Sequence, residues 1–233
     1  MKMGTELMTP YYEHAGITIY CGDCRDVLSL LGDCDLLLTD PPYGLNVPVD
    51  NARFSGGSQY RERGHKFLQY RIPVSGDAEP FDPSHLFQFR RLVIFGANNF
   101  ADKLPPSNGW IVWDKRAGLE DVDWPLGAGE LAWTNVTGAV RIFRNRWMGL
   151  VRDSERNIFD HPTQKPVVLM RWILKQWTKV GDLVIDPYCG SGPVLQAAKE
   201  LGRRAIGIEI EEKYCEIAAK RLSQEVFQWE LYT

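Results

Sequence analysis

No apolar run in this sequence approaches the roughly 20 residues that a helical membrane span requires, so a spanning chain is not expected. The opening MKMGTELMTPYYEHAG lacks the long apolar core of a signal peptide, and the cytosol is the expected compartment. Cysteine is sparse: Cys21, Cys24, Cys34, Cys189 and Cys215 make an odd count, which argues against a disulfide framework. Cys21 and Cys24 form a CxxC with no second CxxC or HxxxH to complete a zinc site. The four histidines (His14, His65, His85, His161) show no ligand spacing either, so no metal is expected. Internal repeats and low-complexity tracts are missing. So are the GxGxxG of nicotinamide cofactors and the GxxxxGK[ST] of a P-loop.

An excess of positive charge is also missing. The net charge is −3, which by itself does not suggest a nucleic-acid partner. The charge is uneven, however. Arg53, Arg61, Arg63, Lys66 and Arg71 face only Asp50 and Glu62 between residues 45 and 75. Arg141, Arg144, Arg146, Arg152, Arg156 and Lys165 face Asp153, Glu155 and Asp160 between residues 141 and 165. Each stretch is net basic within an acidic chain; charge alone reads them as solvated loops.

What the sequence does have is strands that end in chemistry. LLLTDPPYG (36–44) begins as a buried strand and stops in an acid, two prolines and a ring. Prolines end a sheet ladder because each removes a donor. LVIDPYCGSG (183–192) repeats the pattern and runs through Gly190 and Gly192 towards a helix. Glycines there let a backbone approach a ligand, and a helix start presents free amides. The next strand, AIGIEI, ends in Glu209 about 20 residues on, where an acid can accept from a ribose diol. Asp186 would repel phosphates and suits a cofactor carrying an amino group. S-adenosylmethionine (SAM) has the ribose, the amino group and no phosphate.

Further strand candidates are GITIY, RLVIFG, GWIVWDK, ELAWTNV and AVRIFRNRW, about eight in all. PVVLMRWILKQWTKVG repeats apolar residues at helical spacing (Met170, Ile173, Leu174, Trp177), with Gly181 as an expected C-terminal cap. A helix over 193–201 is expected with Ser191 as N-cap and Gly202 as its stop, and a last helix from Glu211. Strand–helix–strand order with buried strands predicts an α/β fold with a mostly parallel sheet covered by helices on both faces. Residues 46–83 show no sustained period, and a loop that long is usually functional or disordered.

With these strand ends in place, the chain resembles the N6-adenine/N4-cytosine DNA amino-methyltransferases over most of its length. TDPPYG is similar to the catalytic motif and DPYCGSG to the SAM loop, where phenylalanine is more usual than Tyr188. HPTQKP (161–166) resembles the segment that closes over the methionine end of SAM, and CGDC the turn before the catalytic strand. GWIVWDK is family-like as well. The catalytic motif comes first and the SAM loop last, as in the circularly permuted β group.

The resemblance implies a Rossmann-like SAM-dependent methyltransferase fold in a single domain, 1–233. Residues 1–44 and 84–148 would form the catalytic half, 45–83 a basic DNA-contact loop, 149–160 a short recognition segment and 161–233 the SAM-binding half. It implies catalysis by Asp40, Pro41, Pro42 and Tyr43. Asp40 and the Pro41 carbonyl would draw the amine lone pair of a flipped adenine out of conjugation; Pro42 fixes the turn and Tyr43 stacks on the base. SAM would be held by Asp23, Thr163, Lys165, Asp186, Pro187, Tyr188, Gly190, Ser191, Gly192 and Glu209, with Thr163 and Lys165 on its carboxylate. An N-cap is the plain alternative for Asp23. Double-stranded DNA becomes the expected partner, through Arg53, Arg61, Arg63, Lys66, Arg141, Arg144, Arg146, Arg152 and Arg156. Trp147 reads as a sheet anchor or a stacking residue. Homodimers are common in the β group. Cytosine N4 is the rival target, although enzymes acting there more often carry Ser in place of Asp40; an idle DNA-binding protein keeping the fold is the reading from another class. The target sequence is not legible.

Overall fold

The computed structural model describes residues 9–45, 75–118, 127–148, 151–154 and 164–224. Strands are β1 (Tyr12–His14), β2 (Ile17–Cys21), β3 (Leu36–Thr39), β4 (Leu92–Phe95), β5 (Gly109–Asp114), β6 (Gly129–Thr134), β7 (Val140–Arg144), β8 (Trp147–Met148), β9 (Val151–Arg152), β10 (Leu183–Asp186) and β11 (Arg204–Glu209). Helices are α1 (Cys24–Leu28), α2 (Val167–Trp177), α3 (Pro193–Glu200) and α4 (Glu212–Ser223), with 3-10 turns at Ser84–Leu86 and Ala97–Lys103.

Nine strands form one sheet in the order β1-β2-β11-β10-β3-β4-β6-β5-β7. Only β1 and β6 run against the others. β8 and β9 make a separate antiparallel pair. β3 and β4 read Leu-Leu-Leu-Thr and Leu-Val-Ile-Phe with every residue buried, as central parallel strands covered on both faces must be. On one face α2, α3 and α4 pack over Ile19, Leu36, Leu38, Val93 and Val184. On the other, α1 and the two 3-10 turns cover Leu37, Ile94, Ile185 and Ile208. This is the doubly covered, mostly parallel sheet expected from the sequence.

Some expectations need correcting. AVRIFRNRW is two strands, β7 and β8, not one, because the chain turns at Asn145, whose carbonyl accepts from the Trp113 indole. α2 ends at Trp177, where Thr178 turns extended and its Oγ1 donates to the Leu174 carbonyl. Gly181 therefore serves the turn into β10, donating to the Gly202 carbonyl, and does not cap α2. Gly192, left-handed at φ 80°, holds the N-cap position of α3, with Pro193 at its first turn. Ser191 instead donates to Gln164 Oε1 at 3.2 Å.

Of the long stretch 46–83, residues 46–74 lie outside the described residues. Its last part is anchored rather than loose. Asp77 Oδ1 accepts from the Gly44 and Leu45 amides at 2.9 and 3.2 Å, and Phe81 is buried in the core. No described helix is long and apolar enough to cross a membrane.

Candidate active site

β2, β11, β10 and β3 are consecutive neighbours and run parallel, so their carboxyl ends share one edge of the sheet. The residues there are Asp23, Glu209, Asp186 and Asp40, four acids in a row. From β3 the chain goes on to β4 on one side; from β10 it goes on to β11 on the other. The crevice between β10 and β3 is thus a topological switch point, where open α/β sheets bind ligands.

A hydrogen bond crosses that crevice. Thr39 Oγ1 donates to Asp186 Oδ1 at 2.7 Å, and the Tyr188 amide donates to the same oxygen at 3.2 Å. Asp186 is buried, and burial pushes its carboxyl up to about 7. Among the described residues its Oδ2 has no hydrogen-bond partner. Glu209 is half-buried and braces the loop: Oε2 accepts from the Gly190 amide at 3.0 Å and Oε1 from the Glu211 amide at 2.8 Å. Burial raises its carboxyl too, against those two amides. Each carboxylate oxygen keeps a second lone pair for a further donor. Gly207 on β11 lies so close to the loop that a Cβ there would stand 2.9 Å from Cys189 Sγ.

At the tip of β3 the contacts are tighter. The Tyr43 hydroxyl donates to Asp40 Oδ1 at 2.5 Å. Lys165 Nζ donates to Asp40 Oδ2 at 2.5 Å and to the Tyr43 hydroxyl at 3.2 Å. It also lies 3.0 Å from Glu130 Oε2, an ion pair not aligned as a hydrogen bond, and Glu130 in turn pairs with Lys115. Burial raises the Asp40 carboxyl, Lys165 pulls it down, and Glu130 raises it again. Glu130, with a lysine on each oxygen, is held down to about 2 despite its burial. The Tyr43 ring rests on Gly96, just past β4; a Cβ there would stand 1.8 Å from Tyr43 Cε1. Beside this ring opens a cavity of about 300 Å³, lined by Tyr43, Leu45, Gly96, Asn98, Asn99, Gly129, Glu130 and Leu131.

The structure thus brings Asp40, Pro41, Pro42 and Tyr43 together with Asp186, Pro187, Tyr188, Gly190, Ser191, Gly192 and Glu209 along one edge. Asp23 is the N-cap of α1, accepting from the Arg25 amide at 2.8 Å; it stands beside Glu209, whose carbonyl accepts from the Gly22 amide. The Lys165 ammonium meets Asp40 and Glu130. Arg144 Nε lies 3.6 Å from Asp114, and Arg146 pairs with Asp153 at 3.2 Å, while Arg141 is exposed on the edge strand β7. Trp147 packs edge-on against Trp113 at 6.3 Å, the anchor reading. Thr163, Arg53, Arg61, Arg63, Lys66 and Arg156 lie outside the described residues, as does the side chain of Arg152.

Sequence reading missed Thr39, Gly96, Glu130, Gln164 and His85. His85 Nε2 lies 2.9 Å from the Tyr188 hydroxyl and gives that hydroxyl a polar partner. A strand ending in glycine (Gly96) and an acid opening an apolar strand (Glu130) were the available signals.

Residues 132–220 match the family model described as DNA methylase. A stretch of 80 residues is 48% identical to the Type II methyltransferase M2.DpnII of Streptococcus pneumoniae, covering 34% of this chain and 30% of that protein. The Type II methyltransferase M.HpaI of Haemophilus parainfluenzae is 28% identical over 225 residues, covering 82% of this chain and 68% of its own. Over these stretches the chain is similar to the N6-adenine/N4-cytosine DNA methyltransferases. It spans about a third of the length of the first curated relatives that it matches. Among solved structures, PvuII DNA methyltransferase (cytosine-N4-specific) shares the fold with a TM-score of 0.59, at 17% identity, covering 95% of this chain and 91% of that one. The two strand ends that resemble a catalytic motif and a SAM loop are the ones that Thr39 and Asp186 tie together.

Proposed function

We propose that this chain methylates the exocyclic N6 of adenine in double-stranded DNA, with SAM as methyl donor and with the target base flipped out of the duplex. The observation that carries the reading is the pair of acidic strand ends, Asp40 and Asp186, held side by side across the switch point by the Thr39 hydrogen bond.

The residues present fit SAM. Asp186 Oδ2, without a partner among the described residues, suits an ammonium group, and the raised carboxyl ionises readily once a cation faces it. The spare lone pairs of Glu209 suit a ribose diol. Asp186, at the start of the glycine loop, disfavours a phosphate there and favours a cation. When bound, SAM supplies a methyl group on a positively charged sulfur, which needs no covalent enzyme intermediate.

The chain's own part is positioning. Asp40 and the Pro41 carbonyl accept from the two N–H bonds of the target amine and localise its lone pair. Asp40 is then the group placed to hold the proton that the amine gives up. Pro42 has no donor to leave unsatisfied and restricts Pro41 to an extended conformation, so the carbonyl stays aimed. The Tyr43 ring and the cavity beside it receive the base, and stacking offsets the few kcal/mol of unstacking. Acceptors fixed in advance act without reorganisation at the moment of reaction.

The basic stretches, with Arg141 exposed on β7, supply phosphate contacts. Asp40 favours adenine over cytosine, since N4-cytosine enzymes more often carry serine there. PvuII methyltransferase, a cytosine-N4 enzyme by its title, keeps the second reading in view. The test is incubation of the full chain with SAM and duplex DNA, then mass spectrometry of the digested nucleosides. N6-methyladenine supports the reading. N4-methylcytosine transfers it to the rival, and an unmodified digest refutes it.

A further inference from the structure

Lys165 is the least expected member of the site. It is 4% exposed, and its neighbours are the tip of β3, the start of β6 and the ring of Phe95, 5.6 Å away. An ammonium group has three donors. Here three oxygens of this chain surround it: Asp40 Oδ2, the Tyr43 hydroxyl and Glu130 Oε2. The first two are hydrogen bonds and the third an ion pair, so the ammonium's charge is already shared between two carboxylates of this chain. The second of these, Glu130, is itself fixed by Lys115. The result is a chain of alternating charge, Lys115–Glu130–Lys165–Asp40, that runs from β5 and β6 into the catalytic tip.

We propose that Lys165, backed by Glu130, is a positioning residue for the amine chemistry: it keeps the Asp40 carboxylate ionised and fixed at the strand end, and does not hold the cofactor. The inference rests on the amine-methylation reading given above. Only the ionised carboxylate can take the proton that the amine gives up, yet Asp40 stands beside Asp186 and Glu130 in a partly buried edge, where negative charge is disfavoured. Four charged or titratable groups face it among the described residues. Tyr43 comes from its own loop, Lys165 from the lead-in to α2, Glu130 from β6 with Lys115 behind it, and Asp186 from β10. Lys165 is the only cation in direct contact with Asp40 among the described residues. Glu130 has a double part. It anchors the ammonium in place, and it competes with Asp40 for its charge.

These roles predict shifts of opposite sign. Carbon-13 NMR of aspartate-labelled protein without cofactor reads the Asp40 carboxyl directly, with Asp40→Asn assigning the signal. Lys165→Met keeps the stem's length and removes the charge, so the Asp40 titration midpoint should rise by about one pH unit or more. Glu130→Gln leaves the cation and removes its competitor, so the midpoint should fall. The acid limb of the methyl-transfer rate should follow in each variant. Calorimetry should find SAM affinity within about threefold of wild type, the size of effect expected when no direct contact is lost.

If the midpoint is unmoved in both variants, the inference is overturned. So it is if Lys165→Met weakens SAM binding tenfold while the Asp40 midpoint stays, since Lys165 would then be a cofactor residue. Should Lys165→Met fail to fold, Glu130→Gln decides by the sign of its shift. A wild-type protein that transfers no methyl to DNA refutes the proposed function but leaves the NMR titration as it is. An active wild type with unmoved midpoints refutes this inference alone.

Discussion

Replacing Gly96 with alanine tests the packing that holds Tyr43 over the catalytic tip. Gly96 adopts φ +66°, and an added Cβ would stand 1.8 Å from Tyr43 Cε1 and 2.3 Å from both Cδ1 and Cζ. No rotation of a methyl group relieves contacts that short, so the ring must leave. Two losses follow. Alanine in the left-handed region costs about 1–2 kcal/mol. Removing the Tyr43 hydroxyl from Asp40 forfeits a hydrogen bond to a charged group, roughly 1.5–3 kcal/mol. Together these amount to about 2.5–5 kcal/mol, which for a chain of this size lowers the unfolding midpoint by roughly 5–20 °C. Thermal unfolding followed by circular dichroism reads the first effect. The methyl-transfer rate reads the second and should fall at least about tenfold as the stacking platform is displaced. Gly138→Ala is the control, since nothing lies within 4 Å of its Cβ position. Wild-type stability and wild-type rate in Gly96→Ala would refute the ring-on-glycine packing.

Two other perturbations probe the cofactor side. The Asp186 carboxyl is raised to about 7, above its unfolded value, so its contribution to folding is full below about pH 4 and is lost as pH climbs through 7. Urea unfolding of the cofactor-free protein should lose roughly 4 kcal/mol over that window relative to Asp186→Asn, and SAM affinity should strengthen over the same window as the carboxylate forms. Identical pH slopes in the two proteins would remove Asp186 from the account. Glu209→Gln keeps an acceptor but loses the charge and cannot take both loop amides as well as a ribose diol; calorimetry should show SAM binding weakened about 10- to 100-fold, and unchanged affinity would remove Glu209 from the site.

Much of this was legible in the sequence, for a physical reason. Parallel strands buried on both faces appear as short apolar runs, and the residue after each run lies at the ligand-binding edge. That rule alone brought Asp40, Asp186 and Glu209 to one place. Short elements escaped it: α1 has five residues, too few for a helical period, and β1, β8 and β9 have three or fewer. Ser191 was read as a cap because its residue type favours that role, but Gly192 can take the left-handed turn and serine is then free to reach Gln164. Lys165 was assigned by the motif around it. Its ammonium meets Asp40, 125 residues away, and Glu130 on β6, contacts that only the folded sheet creates.

The central claim is that methyl acceptance and cofactor binding occupy separate strand ends, with Asp40 serving only the amine. Asp40→Ala measures it most directly, by single-turnover transfer to duplex DNA alongside SAM calorimetry on the same protein. The account predicts a rate at least about a hundredfold below wild type, the cost of losing an acceptor for developing charge, with SAM affinity within a few-fold. Turnover above about one per cent of wild type, or loss of SAM binding in step with the rate, would contradict it.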